Sequence, residues 1–254
     1  MSSRLIAQPI SDNNAQNVVA SIVSSITISN FTVPANNDRL LVVCALNISN
    51  QNSPTVTFNG ITMTSAITIS SNGGMRLTMY YLLLGSNVSA TTANVVASGL
   101  SIVHLGAISY NNVNQIDPTD GETGMGFSPA SSTTTSHTQT VTSGNNNIVC
   151  DCIGAYSPAF VGLTVDPSQA QLFQGSLGSP KVNMAMSTKA GAASVPMTWI
   201  INDNSSFTSG TGVHLGMNIK VVSALPIELT YFKGQAIKTG SWPPFTKKCP
   251  SQTG

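Results

Sequence analysis

Hydrophobic and polar positions alternate with a period of two along most of this chain, which is the spacing of strands with one face buried. In "TVTFNGITMT", Asn59-Gly60 separates two alternating runs, and both central residues of a type I′ hairpin turn need positive φ, which that pair tolerates. "ITISSNGGMRLTMYYLLL" repeats the device around Asn72, Gly73 and Gly74. Its second arm puts Met75, Leu77, Met79, Tyr81 and Leu83 on one face and Arg76, Thr78 and Tyr80 on the other.

"DRLLVVCALNI" (38 to 48) and "NIVCDCIGAY" (147 to 156) are apolar at nearly every position, so they are expected as central strands covered on both faces. Further strands are expected near 24–33, 93–98, 101–110, 138–143, 182–189, 195–202 and 211–222, and no segment has the spacing of a helix. The pattern predicts an all-β fold, an antiparallel two-sheet β-sandwich of which a jelly roll is one form, with an extended C-terminal arm. The expected organisation is an N-terminal arm (1–23), a single domain (24–222) and the C-terminal arm (223–254). "VHLGAI" at 103–108 and "VHLGMNI" at 213–219 echo one another, and two similarly buried strands drawn from a narrow alphabet account for that better than a duplication.

Composition changes this picture at the surface. Charged residues are 7% of the 254, against roughly 25% in an ordinary soluble domain, so Ser, Thr, Asn and Gln must wet the protein. A surface so poor in charge lacks the repulsion and the charged gatekeepers that keep strand edges apart, which suits assembly, with a secreted β-protein whose neutral hydroxyl-rich faces serve no such end as the alternative. A net charge of +1 with no basic cluster before residue 220 argues against a nucleic-acid groove. No apolar run reaches the ~20 residues of a membrane span, and residues 1–16 contain no run of signal-peptide length, so the expectation is either use without the general secretion route or a leader missing from this sequence.

Candidate chemistry is sparse. Cys44, Cys150, Cys152 and Cys249 have no zinc-site spacing and are expected reduced; Cys150 and Cys152 stand parallel on one strand face, which suits packing better than a disulfide. His104 and His214 are expected as buried strand histidines, a metal pair only if their strands were neighbours, and His137 as an exposed strand entry. No serine lies in a G-x-S-x-G elbow, and no pair of acids suggests catalysis; Asp151 is one of six acids scattered singly. Asp117, Asp120 and Glu122 gather in "IDPTDGETG", where oxygen ligands suit a calcium ion, with a solvated turn as the simpler reading. The segment 111–137 is expected as an exposed excursion able to bind a partner.

The run from Arg39–Val43 through Val56–Thr64, Tyr81-Leu82 and Tyr110–Pro118 resembles a β-sandwich module of bacterial surface and phage structural proteins. That resemblance implies a structural or binding module and carries no catalytic residues. "LPIELTYFKGQA" is similar to the linker before type IX secretion sorting domains of Bacteroidota. Together these imply a non-enzymatic virion structural protein of a phage with a Bacteroidota host, displayed at the virion surface as a capsid decoration, penton, spike or fibre component. Its partners would be itself or other virion subunits in an oligomer, with neither nucleic acid nor membrane insertion. The alternative is an extracellular or cell-surface adhesin or carbohydrate-binding module contacting a host surface glycan. Residues 223–254 carry four lysines against Glu228, a net of +3 where 1–222 carry −2. They are expected as an assembly arm presenting Ile227, Leu229, Tyr231 and Trp242, with a solvated strand and a frayed end as the alternative.

Overall fold

The computed structural model describes residues 8–48, 52–71, 73–127, 134–157, 160–178, 181–203 and 211–222. Among these every regular element is a β-strand: β1 (Ile10–Val33), β2 (Asn36–Asn47), β3 (Thr55–Phe58), β4 (Ile61–Thr62), β5 (Thr64–Ser70), β6 (Arg76–Asn87), β7 (Thr91–Asn111), β8 (Thr119–Phe127), β9 (Thr134–Thr142), β10 (Ile148–Tyr156), β11 (Phe160–Val165), β12 (Ala170–Gly178), β13 (Lys181–Ala190), β14 (Ser194–Asp203) and β15 (Thr211–Ile219). The C-terminal arm, with Ile227, Leu229, Tyr231 and Trp242, lies outside the described residues, as does Cys249.

All pairings are antiparallel, and they give a seven-stranded, a five-stranded and a three-stranded sheet. Asn59 and Gly60 take φ of 51° and 74°, as the hairpin between β3 and β4 requires. β2 and β10 are buried on both faces, as their unbroken apolar runs predict. Two expectations are corrected. Residues 10–23 are not an arm: β1 starts at Ile10 and pairs with β7 along most of its length, a backbone ladder that a weakly apolar sequence does not advertise. Nor is 111–137 one excursion, because β8 occupies 119–127 and pairs with β15.

The pairing pattern occurs twice. In the second half the orders are β12-β13-β10-β15-β8 and β11-β14-β9. In the first half, β5-β6-β2 continues into the later part of β7 and the early part of β1, while β3 pairs with the early part of β7, whose other partner is the later part of β1. The register fixes which residues correspond. Cys44 pairs with Met79 and Gly106, and Cys152 pairs with Met186 and Leu215. A bulge breaks β5 between Ser65 and Ile67 and breaks β12 between Gln171 and Phe173, with Ile67 opposite Met79 and Phe173 opposite Met186. A bulge is a placed feature rather than noise, so its recurrence at matching positions identifies two copies of one unit. The only strand without a counterpart among the described residues is the two-residue β4.

The copies meet through their larger sheets. Leu40, Val42, Cys44, Leu77, Met79 and Tyr110 of the first pack on Cys150, Cys152, Phe173, Met184, Met186 and Leu215 of the second in the largest apolar cluster. Each such fully buried side chain contributes about 1.5–3 kcal/mol. β5 lies against β8 and β12 against β1, the reciprocal placement that a two-fold axis produces. Val113 and Val221, just after the corresponding strands β7 and β15, form a bridge with each other. Gly106 permits the close approach, because a Cβ there would lie 1.8 Å from Cζ of Phe173.

The opposite face of each larger sheet is covered within its own copy. Val43, Ala45, Tyr80, Leu105 and Ala107 pack on Ile26, Ile28, Val56, Phe58, Val95 and Ala97 in the first. In the second, Ile153, Ala155 and Ala185 pack on Leu163, Trp199 and Ile201, and Val149 on Val141, Val195 and Met197.

Candidate functional site

The two inner layers differ in chemistry. In the second copy the carboxylate of Asp151, on β10, is fully buried and accepts four hydrogen bonds. The backbone N–H (3.0 Å) and the hydroxyl (2.5 Å) of Ser187 on β13 reach Oδ1. The indole Nε1 of Trp199 on β14 (2.8 Å) and Nε2 of His214 on β15 (2.9 Å) reach Oδ2. Ser187 in turn accepts from Nε2 of Gln169 at 2.7 Å, and Oε1 of Gln169 accepts the backbone N–H of Thr198 at 2.5 Å. Four donors on one carboxylate supply the compensation that a buried anion requires. The network ties three strands of the five-stranded sheet to β14 of the three-stranded one.

A second histidine borders it. His137, on β9, pairs across the sheet with Trp199 and stacks on the ring of Phe127 with centroids 3.7 Å apart. Nε2 of His137 and Nδ1 of His214 are buried without a hydrogen-bond partner among the described residues. Burial, and secondarily the charge that His214 can carry, push His137 down to about 4.

In the first copy the corresponding positions are apolar. The register matches Asp151, Ser187 and His214 with Val43, Tyr80 and Leu105. The inward residues of the early part of β7 and the later part of β1 include Val95, Ala97, Ile26 and Ile28, whereas β14 and β9 bring Trp199, His137 and Gln139 beside the apolar Val195, Met197, Ile201 and Val141. Tyr80 sends its hydroxyl to the Pro54 carbonyl. The same framework therefore closes over hydrocarbon, and the fold does not require the polar network.

The acidic loop is arranged around a lysine. Nζ of Lys220 lies 2.5 Å from Asp117 and 2.9 Å from Asp120. Asp120 also accepts from Asn218 Nδ2 at 2.6 Å, and Asn218 accepts from the Ser143 hydroxyl at 2.6 Å. Against the opposing effect of partial burial, Asn218 and Lys220 hold Asp120 below the usual carboxylate range. Glu122 is exposed on a bulge of β8 that begins at Gly121, whose φ is 62°. Lys220 thus places a positive charge between Asp117 and Asp120, and no group of three His, Cys, Asp or Glu side chains placed to hold a metal ion occurs among the described residues. A cleft of about 350 Å³ opens beside Asp120, bounded by Ser143, Asn147 and Asn218.

His104 and His214 are not brought together as ligands. His214 ends on Asp151, while His104 lies in the seven-stranded sheet with its ring 6.3 Å from that of Phe173. Burial pushes His104 down to about 3. Cys44, Cys150 and Cys152 are buried free thiols; burial raises Cys150 and Cys152 well above the ordinary thiol range, with Cys44 adding to the effect on both. The acid in "IVCDCIGAY" was the available signal for the polar network, since a charged residue in a strand covered on both faces must be given partners.

In comparisons with known proteins, the chain matches no family model, no curated protein and no solved structure.

Proposed function

We propose that this chain is a non-enzymatic structural subunit of a virion, built as two jelly-roll β-sandwiches packed back to back and acting through contacts with further copies or other subunits. The observation that carries this reading is the combination of a strand-built body with a surface almost without charge. Among the described residues β9 "TTSHTQTVT" has a pairing partner on one side only, and it contains no Asp, Glu, Lys or Arg. An edge of that kind lacks the charges that natural proteins use to refuse a further strand. The resemblance to phage and bacterial surface modules supports the same reading, and a phage of a Bacteroidota host accounts for the segment "LPIELTYFKG". In this reading the protein is a capsid decoration, penton, spike or fibre component at the particle surface.

The tail is the assembly element of the proposal, with Ile227, Leu229, Tyr231 and Trp242 contacting a neighbouring subunit. Removing residues 225–254 should abolish or weaken higher-order assembly, followed by light scattering and electron microscopy, while the thermal melt of the body keeps its midpoint. Normal assembly of the truncated chain would refute the arm. The polar cleft beside Asp120 favours a second reading, a glycan-binding adhesin module. Glycan-array binding lost on Asn218→Ala, by a full chain that stays monomeric at high concentration, would replace the first reading with this one.

A further inference from the structure

The contrast between the two inner layers goes beyond this assembly role and does not depend on it. The first copy shows that the framework closes with Val43, Tyr80 and Leu105. Replacing a buried polar cluster by hydrocarbon is commonly neutral or stabilising, so a network kept in only one copy calls for a use other than stability. Among the described residues, the ionisable groups in that layer are Asp151 from β10, His137 from β9 and His214 from β15. β13 contributes Ser187, β14 Trp199 and β8 Phe127. Lys189 of β13 is directed elsewhere, to the Ser168 hydroxyl and the Pro196 carbonyl.

We propose that the inner layer of the second copy is an acid-sensitive latch, in which protonation of His137 beside His214 releases β9, β11 and β14 from β10 while the first copy stays closed. His137 is suited to this by its position. It stacks on Phe127, its Nε2 is buried without an acceptor among the described residues, and its strand neighbour Trp199 donates to Asp151. A proton added there has no anion to itself, since both oxygens of Asp151 already accept from other donors. The sign follows from linkage. His137 is held down at about 4 in the folded layer, against about 6.5 in an unfolded chain. The open state therefore takes up the proton first, and closure weakens as pH falls from about 6.5 through 4.

The test uses the full chain with Trp242→Phe, which leaves Trp199 as the sole tryptophan. Between pH 7.5 and 3.5, Trp199 emission should shift reversibly to the red while far-UV circular dichroism is retained. His137→Phe keeps an aromatic ring on Phe127 without a titrating nitrogen, and should move that transition down by about one pH unit or more. His137→Gln serves if the phenylalanine variant fails to fold. Hydrogen exchange of the unmodified chain gives an independent reading. At pH 5, corrected for intrinsic rates, β9, β11 and β14 should exchange faster than at pH 7.5, while β3 and the early part of β7 should not. An unmoved transition in the His137 variant, equal loss of protection in both copies, or loss of circular dichroism together with the emission shift would each overturn the latch.

Discussion

Asp151 shows how one side chain can be costly to remove and yet dispensable to the architecture. Truncating it to alanine leaves the indole N–H of Trp199, the hydroxyl and N–H of Ser187 and Nε2 of His214 without their acceptor. Losing one member of such a buried set costs about 3–5 kcal/mol, and Asp151→Ala should lower the urea midpoint accordingly at unchanged slope. The corresponding residue, Val43, sits in hydrocarbon with nothing to satisfy. The matching exchange there, Val43→Ala, should cost only about 1–2 kcal/mol, the price of a small cavity. Similar losses for both variants would show that the hydrogen bonds to Asp151 contribute little.

Individual strands were largely readable, and the relation between them was not. Alternation and Asn-Gly placed the hairpin of β3 and β4, and the predicted apolar face of β6 is the one that packs between the copies. The turn chemistry is testable by Gly60→Val, which puts a β-branched residue at a φ of 74°. It should destabilise by about 1–2 kcal/mol in thermal melts, although a Cβ there would meet nothing within 4 Å. Polar strands such as β8 and the start of β1 escaped the reading because backbone ladders hold them and few apolar side chains mark them. The duplication was hidden for a different reason. The visible echo aligns Gly106 with Gly216, whereas the pairings align Gly106 with Leu215. A shift of one residue exchanges the faces of a strand. His104 accordingly lies near Phe173, between the copies, and His214 points to Asp151 on the other side of its sheet. The candidate site was legible only as one misplaced acid, because its partners come from β13, β14 and β15 and meet by topology.

At the scale of the whole molecule, the face shared by the two larger sheets is the main apolar interface, and it includes most of the buried Met and Cys side chains. Val113 and Val221 close it at one end, and residues 112–118 are the short covalent connection from β7 to β8. A protease site inserted after Gln115 should therefore leave the two halves bound after cleavage. Size-exclusion chromatography would then give one peak at the parent volume, with two bands under denaturing conditions. Two separate peaks would mean that the connection, rather than the packing, keeps the halves together.

That short connection also changes how the interface responds to dilution. Two separate chains meeting through such a face would form a dimer governed by mass action and would come apart at low concentration. Tethered as they are, each half meets the other at an effective concentration in the millimolar range, set by the length of the connection and unaffected by how many molecules surround it. In the proposed role of a particle subunit such independence would matter, since the internal pairing would survive any dilution that the contacts between subunits survive.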